Sequence, residues 1–241
     1  MTESQSRRKG ILIIIALVLS GLASTSTIYF LNLDLRLSAA LHEGRLGETG
    51  WLIGKQTPWA EFYRYGEYPA VIMAIAAFIS YVLSRVGKFP VKFSKPCLVI
   101  VLTVVLGSGL LVNGILKSCW GRPRPADIIE FGGTASYRSV FSPAGPGGGK
   151  SFVCGHCANA FAIASGASFF PYFPRLAGLF MGLGLSLGLI ASFARIAQGG
   201  HYLSDTVWAG IIVLVIIAWL YFCVFKIPAI SRYDAGGDAP P

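Results

Sequence analysis

The chain has 241 residues, of which 54% are hydrophobic and only 13% charged, with a formal net charge of +9. A mean hydropathy of +0.63 and a charged share well below the ~25% usual in soluble domains exclude an ordinary soluble domain and predict an all-α, polytopic membrane protein. The positive charge does not point to nucleic acid, because half of the 20 basic residues fall in segments assigned to one membrane face, where anionic lipid is the natural counterpart. Five cysteines, Cys97, Cys119, Cys154, Cys157 and Cys223, form no evident disulfide framework and indicate no compartment.

Residues 1–9 are polar and end in Arg7-Arg8-Lys9, directly before an apolar run at 10–30. That run has the ~20-residue length of a spanning helix and exceeds the ~7–15 residues of a signal-peptide core, so it reads as an uncleaved first span. Between 31 and 68 the charged residues Asp34, Arg36, His42, Glu43, Arg45, Glu48, Lys55, Glu61, Arg64 and Glu67 mix with Trp51, Trp59, Tyr63 and Tyr65. This is the composition of an interfacial connector, expected to carry one short helix lying flat and to cover the site. A second apolar run at 69–84 ends in Arg85, Lys88, Lys92 and Lys95 with no acid among them, which predicts a cytoplasmic loop.

The third run, 97–116, contains Gly107, Ser108, Gly109 and Gly114, small residues that permit close helix contact, and it ends in Lys117. A Gly- and Pro-rich loop then runs to His156; loops longer than ~12–15 residues are usually functional or disordered. A short fourth run at 158–173 is closed by Pro171 and Pro174, and a fifth at 176–194 carries Gly178, Gly182, Gly184 and Gly188 as a packing face. The sixth, 206–225, stops at Lys226 and Pro228, and residues 231–241 read as a disordered tail to a single domain over 1–230. Six spans with a basic N-terminus inside put 31–68, 117–157 and 195–205 on the opposite face, together with all three histidines.

Three groups on that face carry chemistry. Lys117 and Arg124-Pro125 join a mobile point charge to a planar bidentate fork, complementary tools for a phosphate, with Arg122 and Arg138 as reserves. Taken alone, Lys117 fits better as a snorkelling residue at a helix end, followed by a Pro-stiffened surface loop. Lys150-Ser-Phe-Val-Cys154-Gly155-His156-Cys157 leads into the fourth run; its free N–H groups suit an anion, Gly155 allows close backbone approach, and His156 can protonate a leaving oxygen. Cys-Gly-His-Cys is also a dithiol redox sequence, although the βαβ pattern that supports such a reading is missing. The third group is Arg195-Ile-Ala-Gln-Gly-Gly-His201-Tyr-Leu-Ser-Asp205. If helix begins near His201, Asp205 lies one turn on and can hold one imidazole nitrogen, leaving the other as a nucleophile beside the Arg195 clamp. The same pair fits an interfacial hydrogen-bonded anchor.

K-x6-RP, then GH after Ser151-Phe152, then R-x5-H-x3-D resembles the ordered signature of the type 2 phosphatidic acid phosphatase superfamily, over about residues 95–225. The resemblance implies a six-helix membrane phosphatase with Lys117, Arg124, Arg195 and the backbone at Cys154 and Gly155 binding phosphate. It implies His201 as nucleophile, Asp205 as its partner and His156 as general acid, with no metal and no cofactor. The chain departs from the family pattern in two places: Val153-Cys154 stands where Pro-Ser-Gly-His has its proline and serine, and Ala194 precedes Arg195 where serine is usual. Two hydroxyl donors are lost, each worth ~0.5–1.5 kcal/mol as a neutral hydrogen bond and ~1.5–3 kcal/mol to a charged group.

Within the superfamily the Arg-rich loop followed by Glu130-Phe131-Gly132-Gly133 and Ser151-Phe152 looks most similar to lipid A phosphatases, the 4′-directed branch ahead of the 1-directed. The expected substrate is a lipid phosphate at the outer face of a bacterial inner membrane. Phosphatidylglycerophosphate and undecaprenyl pyrophosphate phosphatases share the signature, and a membrane thiol oxidoreductase or a catalytically dead lipid-binding homologue are the readings from other classes. His42 matches no motif and reads as an interfacial histidine.

Overall fold

The computed structural model describes residues 3–42 and 50–227. Glu43, Arg45, Glu48 and the expected disordered tail lie outside them. The described residues form helices α1 (Glu3–Phe30), α2 (Leu33–Leu41), α3 (Leu52–Lys55), α4 (Trp59–Tyr65), α5 (Tyr68–Arg85), α6 (Ser94–Leu102), α7 (Gly155–Ala162), α8 (Pro174–Ala197) and α9 (Leu203–Ala218). α6 continues in π geometry over Thr103–Leu116 and closes with a turn at Lys117–Cys119; α9 continues likewise over Trp219–Val224. The only bridge between extended residues among those described joins Ile128 to Ala135.

Among the described residues, five helical segments are long and apolar enough to cross a membrane: Glu3–Phe30, Trp59–Arg85, Val91–Cys119, Pro174–Ala197 and Leu203–Val224. The fourth apolar run departs from the expectation of a sixth such helix. It forms the eight residues of α7 and then seven of 3-10 helix, Ile163–Phe169, about 26 Å in all, somewhat short of the ~30 Å hydrocarbon core. Enclosure explains this: Cys157–Ser165 is buried throughout, so this segment meets other helices. The connector also differs, holding three short helices, α2, α3 and α4, and α4 runs on into α5 as one 27-residue segment.

Lipid tails are as apolar as leucine, so helices in a bilayer associate through close packing of small residues. α5 shows the consequence. It buries Ala70, Ala74, Ala77 and Ser84 and turns Ile72, Ile75, Phe78 and Ile79 outward, the inverse of a soluble helix. The glycines of α8 divide similarly. A Cβ on Gly184 would sit 2.2 Å from the Ala164 nitrogen and one on Gly188 2.2 Å from the Phe161 ring, whereas Gly178 and Gly182 meet nothing within 4 Å. Only half of the predicted glycine face is therefore a packing surface.

The end of α6, the start of α7, the end of α8 and the start of α9 all lie at one end of the bundle. The long loop between α6 and α7 is ordered over them by backbone bonds: Ala144 N–H to Trp120 O at 2.9 Å, Ser151 N–H to Arg122 O at 2.9 Å and Ala126 N–H to Gly199 O at 3.0 Å. Gly121 permits this path, since it has φ +72° and its Cβ would lie 1.9 Å from the Gly145 oxygen. The contrast within α8 is testable. Gly184→Val should lower the thermal midpoint in detergent by an amount consistent with at least the ~1–3 kcal/mol of an overpacked core, while Gly182→Val should leave it within the error of the measurement.

Candidate active site

The largest fully buried side chain among the described residues is Arg122, placed by the turn after α6. Its Nη1 donates to Asp205 Oδ1 at 2.5 Å and Ser204 Oγ at 2.7 Å, its Nη2 to Asp34 Oδ2 at 2.8 Å, and its Nε to the Arg138 carbonyl at 2.9 Å. The guanidinium carbon lies 4.1 Å from the Tyr202 ring centre. Burial opposes the charge, but Asp205 and Asp34 outweigh it and the guanidinium is held protonated more firmly than usual. Asp34 also accepts from Ser204 N–H at 2.9 Å and Ser204 Oγ at 2.6 Å. Arg122 is thus a structural cation bridging two buried carboxylates, which corrects its reading as a reserve phosphate ligand; Arg138 contributes a carbonyl.

Asp205 fixes the next layer. Its Oδ2 accepts from Ser151 Oγ at 2.6 Å and from Tyr202 N–H at 2.9 Å, so the carboxylate caps α9. Helix begins at Leu203, which puts His201 in the turn ahead of it rather than in its first turn. His201 is 1% exposed, and its Nδ1 lies 2.5 Å from the Ser151 carbonyl, with Asp205 Oδ2 further off at 3.8 Å. A carbonyl only accepts, so Nδ1 carries the proton and Nε2 keeps its lone pair. The serine, and the carboxylate through it, set the tautomer that the spacing had assigned to Asp205 alone. Burial drives the His201 pKa down to about 4, against the opposing pull of Asp205, so the ring is neutral at pH 7.

Cations surround this ring. Lys117, at the end of the α6 segment, is half-buried and its charge interacts with those of Arg124, Arg195 and Lys150. Its Nζ is 3.4 Å from Asn113 Oδ1, and the same Asn113 side chain fills the space beside Gly155, where a Cβ would stand 2.3 Å from Oδ1. Gly155 is required for that packing. Arg195, at the end of α8, is 7% exposed. Its Nη1 donates to Gln198 Oε1, its guanidinium lies 4.6 Å from the Tyr63 ring centre, and Gln198 is held by the carbonyls of Gly54 and Trp59 at 3.1 Å and 3.0 Å. Among the described residues, the buried Nε atoms of Arg124 and Arg195 have no hydrogen-bond partner.

His156 occupies the first turn of α7. The Tyr63 ring stacks on it with centroids 4.9 Å apart, and Glu67 Oε1 lies 3.5 Å from its Nδ1. The connector does form a wall of this site. Cys154 and Cys157 form a disulfide, both sulfurs being fully buried. Cys154 caps α7, its Sγ accepting from Cys157 N–H at 3.2 Å, while its own N–H has a long 3.5 Å contact to the Asp205 carbonyl. That amide faces α9, contrary to the expectation that it points at an anion. His42 packs on Trp51 and Phe131, with centroids 5.1 Å and 5.2 Å away, in a separate aromatic cluster.

The sequence assigned no individual role to Asp34, Ser151, Ser204, Asn113, Tyr63, Glu67 or Gln198, although Asp34, Tyr63 and Glu67 fall in the connector expected to cover the site. For Asp34 and Asn113 a signal existed, because a carboxylate just after an apolar run and an amide inside one both need a partner; for the others, ordinary polar residues in polar stretches gave none. Removing one member of a buried ion pair leaves the others uncompensated at a cost of ~3–5 kcal/mol. Arg122→Ala should therefore unfold in detergent at a markedly lower temperature, with Arg138→Ala, which keeps the carbonyl, close to the wild type.

The family model for the PAP2 superfamily matches residues 97–228. Among curated proteins the chain is similar to the lipid A 4′-phosphatase of Francisella tularensis subsp. novicida (strain U112), 32% identical over 149 residues that cover 58% of this chain and 62% of that protein. It is also similar to those of Rhizobium leguminosarum, 36% identical over 119 residues (49% and 50%), and Rhizobium etli (strain ATCC 51251 / DSM 11541 / JCM 21823 / NBRC 15573 / CFN 42), 35% identical over 118 residues (48% and 45%). The matches thus span from under half to about three-fifths of these relatives' lengths. No solved structure matches the chain significantly. The matched segment contains the signature from Lys117 to Asp205, and on this evidence the chain belongs to the PAP2 superfamily.

Proposed function

We propose that the protein is a lipid phosphatase that hydrolyses a phosphomonoester through a phosphohistidine at His201. The observation that carries this reading is the buried His201 ring, whose Nδ1 proton is committed to the Ser151 carbonyl and whose Nε2 is left as the nucleophilic nitrogen. Nε2 attacks phosphorus and the bond to the lipid oxygen breaks, with His156 passing its proton to that oxygen. Glu67 and Tyr63 orient the His156 ring. Water then attacks the phosphohistidine, His156 takes up a proton, and phosphate leaves. Lys117, Arg124 and Arg195 neutralise the equatorial oxygens as charge builds, so this mechanism calls for no divalent ion.

The substrate that fits best is lipid A, cleaved at the 4′-position, as the names of the three relatives suggest. A site at the helix ends of an apolar bundle suits a phosphate held at headgroup depth with its acyl chains in the bilayer. The basic loop from Arg85 to Lys95 belongs at the opposite end, which supports a cytoplasmic loop and a site facing the periplasm across a bacterial inner membrane. A thiol oxidoreductase is disfavoured, since its sulfurs would be fully buried and the histidines and cations around His201 would have no role.

Phosphate release by purified protein from lipid A in detergent tests the reading. His201→Ala should abolish it, and His156→Ala should slow it by about 10²–10⁴, most for poor leaving groups. The attacking form of His201 is neutral, and its pKa of about 4 lies below the ordinary ~6.5; the acid limb of kcat/KM due to this residue should therefore fall near pH 4. A wild-type-like rate in His201→Ala would overturn the mechanism. Cys154→Ser should retain phosphate release with or without reductant, because a serine oxygen caps a helix as the sulfur does; loss of activity in a folded Cys154→Ser protein would give the disulfide a larger role.

A further inference from the structure

A cavity of about 530 Å³ opens beside the site, its wall formed by Lys55, Tyr63 and Arg64 from the connector and by Arg124, Asp127 and Arg195 from the signature loops. It reaches Gly200, the residue before His201, and shares Arg124 and Arg195 with the cations assigned above to the cleaved phosphate. Clefts that hold drug-sized ligands run to ~300–1,000 Å³, and a phosphate alone would leave most of this space unfilled. Four of the lining side chains are cations and one is a carboxylate. That carboxylate, Asp127, already accepts the Arg124 backbone N–H at 3.2 Å.

The Arg195 and Arg124 side of the wall is held in place by the fold, while Lys55 and Arg64 are exposed at its rim. Arg195 is 7% exposed, its plane fixed by the Tyr63 ring and by Gln198, and its buried Nε lacks a partner, as does that of Arg124. Lys55 and Arg64 lie outside the family signature, on α3 and α4, where nothing in the hydrolytic step uses them. We propose that this cavity is a headgroup subsite that takes a second, uncleaved phosphate of the substrate, with Lys55 and Arg64 as the specificity-determining residues. The inference rests on the lipid-phosphatase reading and adds to it a preference for doubly phosphorylated glycolipids.

The test compares kcat/KM for phosphate release by the full chain in detergent. The substrates are a bisphosphorylated disaccharide lipid, the same lipid lacking the phosphate that is not cleaved, and dioleoyl phosphatidic acid. Wild type should prefer the bisphosphorylated lipid, and Lys55→Gln/Arg64→Gln should lower its ratio to the monophosphorylated lipid by about tenfold or more, mainly through KM. Arg64→Glu should lower the ratio further, and Lys88→Ala, at the other end of the bundle, should not move it. An unchanged ratio in the double variant and in Arg64→Glu, with phosphate still released from all three lipids, would overturn the subsite alone. Release from none of the lipids by the wild type would overturn the lipid-phosphatase reading, and the subsite with it.

Discussion

Burying a guanidinium and two carboxylates costs several kcal/mol per ion unless every lone pair and proton finds a partner. Arg122 meets that condition with Asp34, Ser204, Asp205 and the Arg138 carbonyl, and the Tyr202 ring covers its face. The bridge ties together α2, the loop after α6 and the start of α9, three segments far apart in sequence. Everything nearer the ligand hangs from it. Asp205, once held by Arg122, holds the Ser151 hydroxyl and the Tyr202 amide, and Ser151 turns its carbonyl to His201. A neutral, oriented imidazole is thus the last link of a chain of buried polar contacts, and such chains are strong only when complete.

The bilayer decides where this chain can stand. Inside the hydrocarbon, backbone groups must be satisfied within helices, and irregular backbone survives only where protein encloses it. The irregular loop from Trp120 to Cys154 accordingly stands at the end of the bundle, where it is held by contacts with its own glycines, with α9 and with the turn at Gly199. Small residues let α7 sink between α8 and α9, with Gly184 and Gly188 admitting Ala164 and Phe161. Its N-terminus and His156 are thereby brought to the same end as Lys117 and Arg195.

The two departures from the family pattern have local structural counterparts. At position 154, the sulfur takes the helix-capping role of a hydroxyl and is joined to Cys157, so the turn carrying Gly155 and His156 is fastened covalently. At position 194, Ala194 is 1% exposed against its neighbours. There the Arg195 guanidinium is steered instead by Gln198 and Tyr63, with Gln198 anchored to the connector carbonyls of Gly54 and Trp59. The connector therefore does more than cover the site, since it sets the attitude of one of its cations.

The sequence by itself determined the all-helical membrane class, the positions of most apolar helices and the family, because apolar run length and the order of three short motifs are properties of the chain read locally. It also marks Lys117, His156, Arg195, His201 and Asp205 as candidates, ionisable residues near the ends of apolar runs, where their cost demands a reason, and Arg124 through the K-x6-RP spacing. Only the tertiary structure decided that Arg122 is a buried bridge, that Asp34 is its second partner, and that Ser151 fixes the His201 tautomer. It also decided that the fourth apolar run is a short, enclosed two-piece helix. These facts depend on which residues meet across 50 to 90 positions of chain, and side-chain type carries no record of that distance. An arginine seeking a phosphate and one seeking two carboxylates are the same letter until the fold brings the anion.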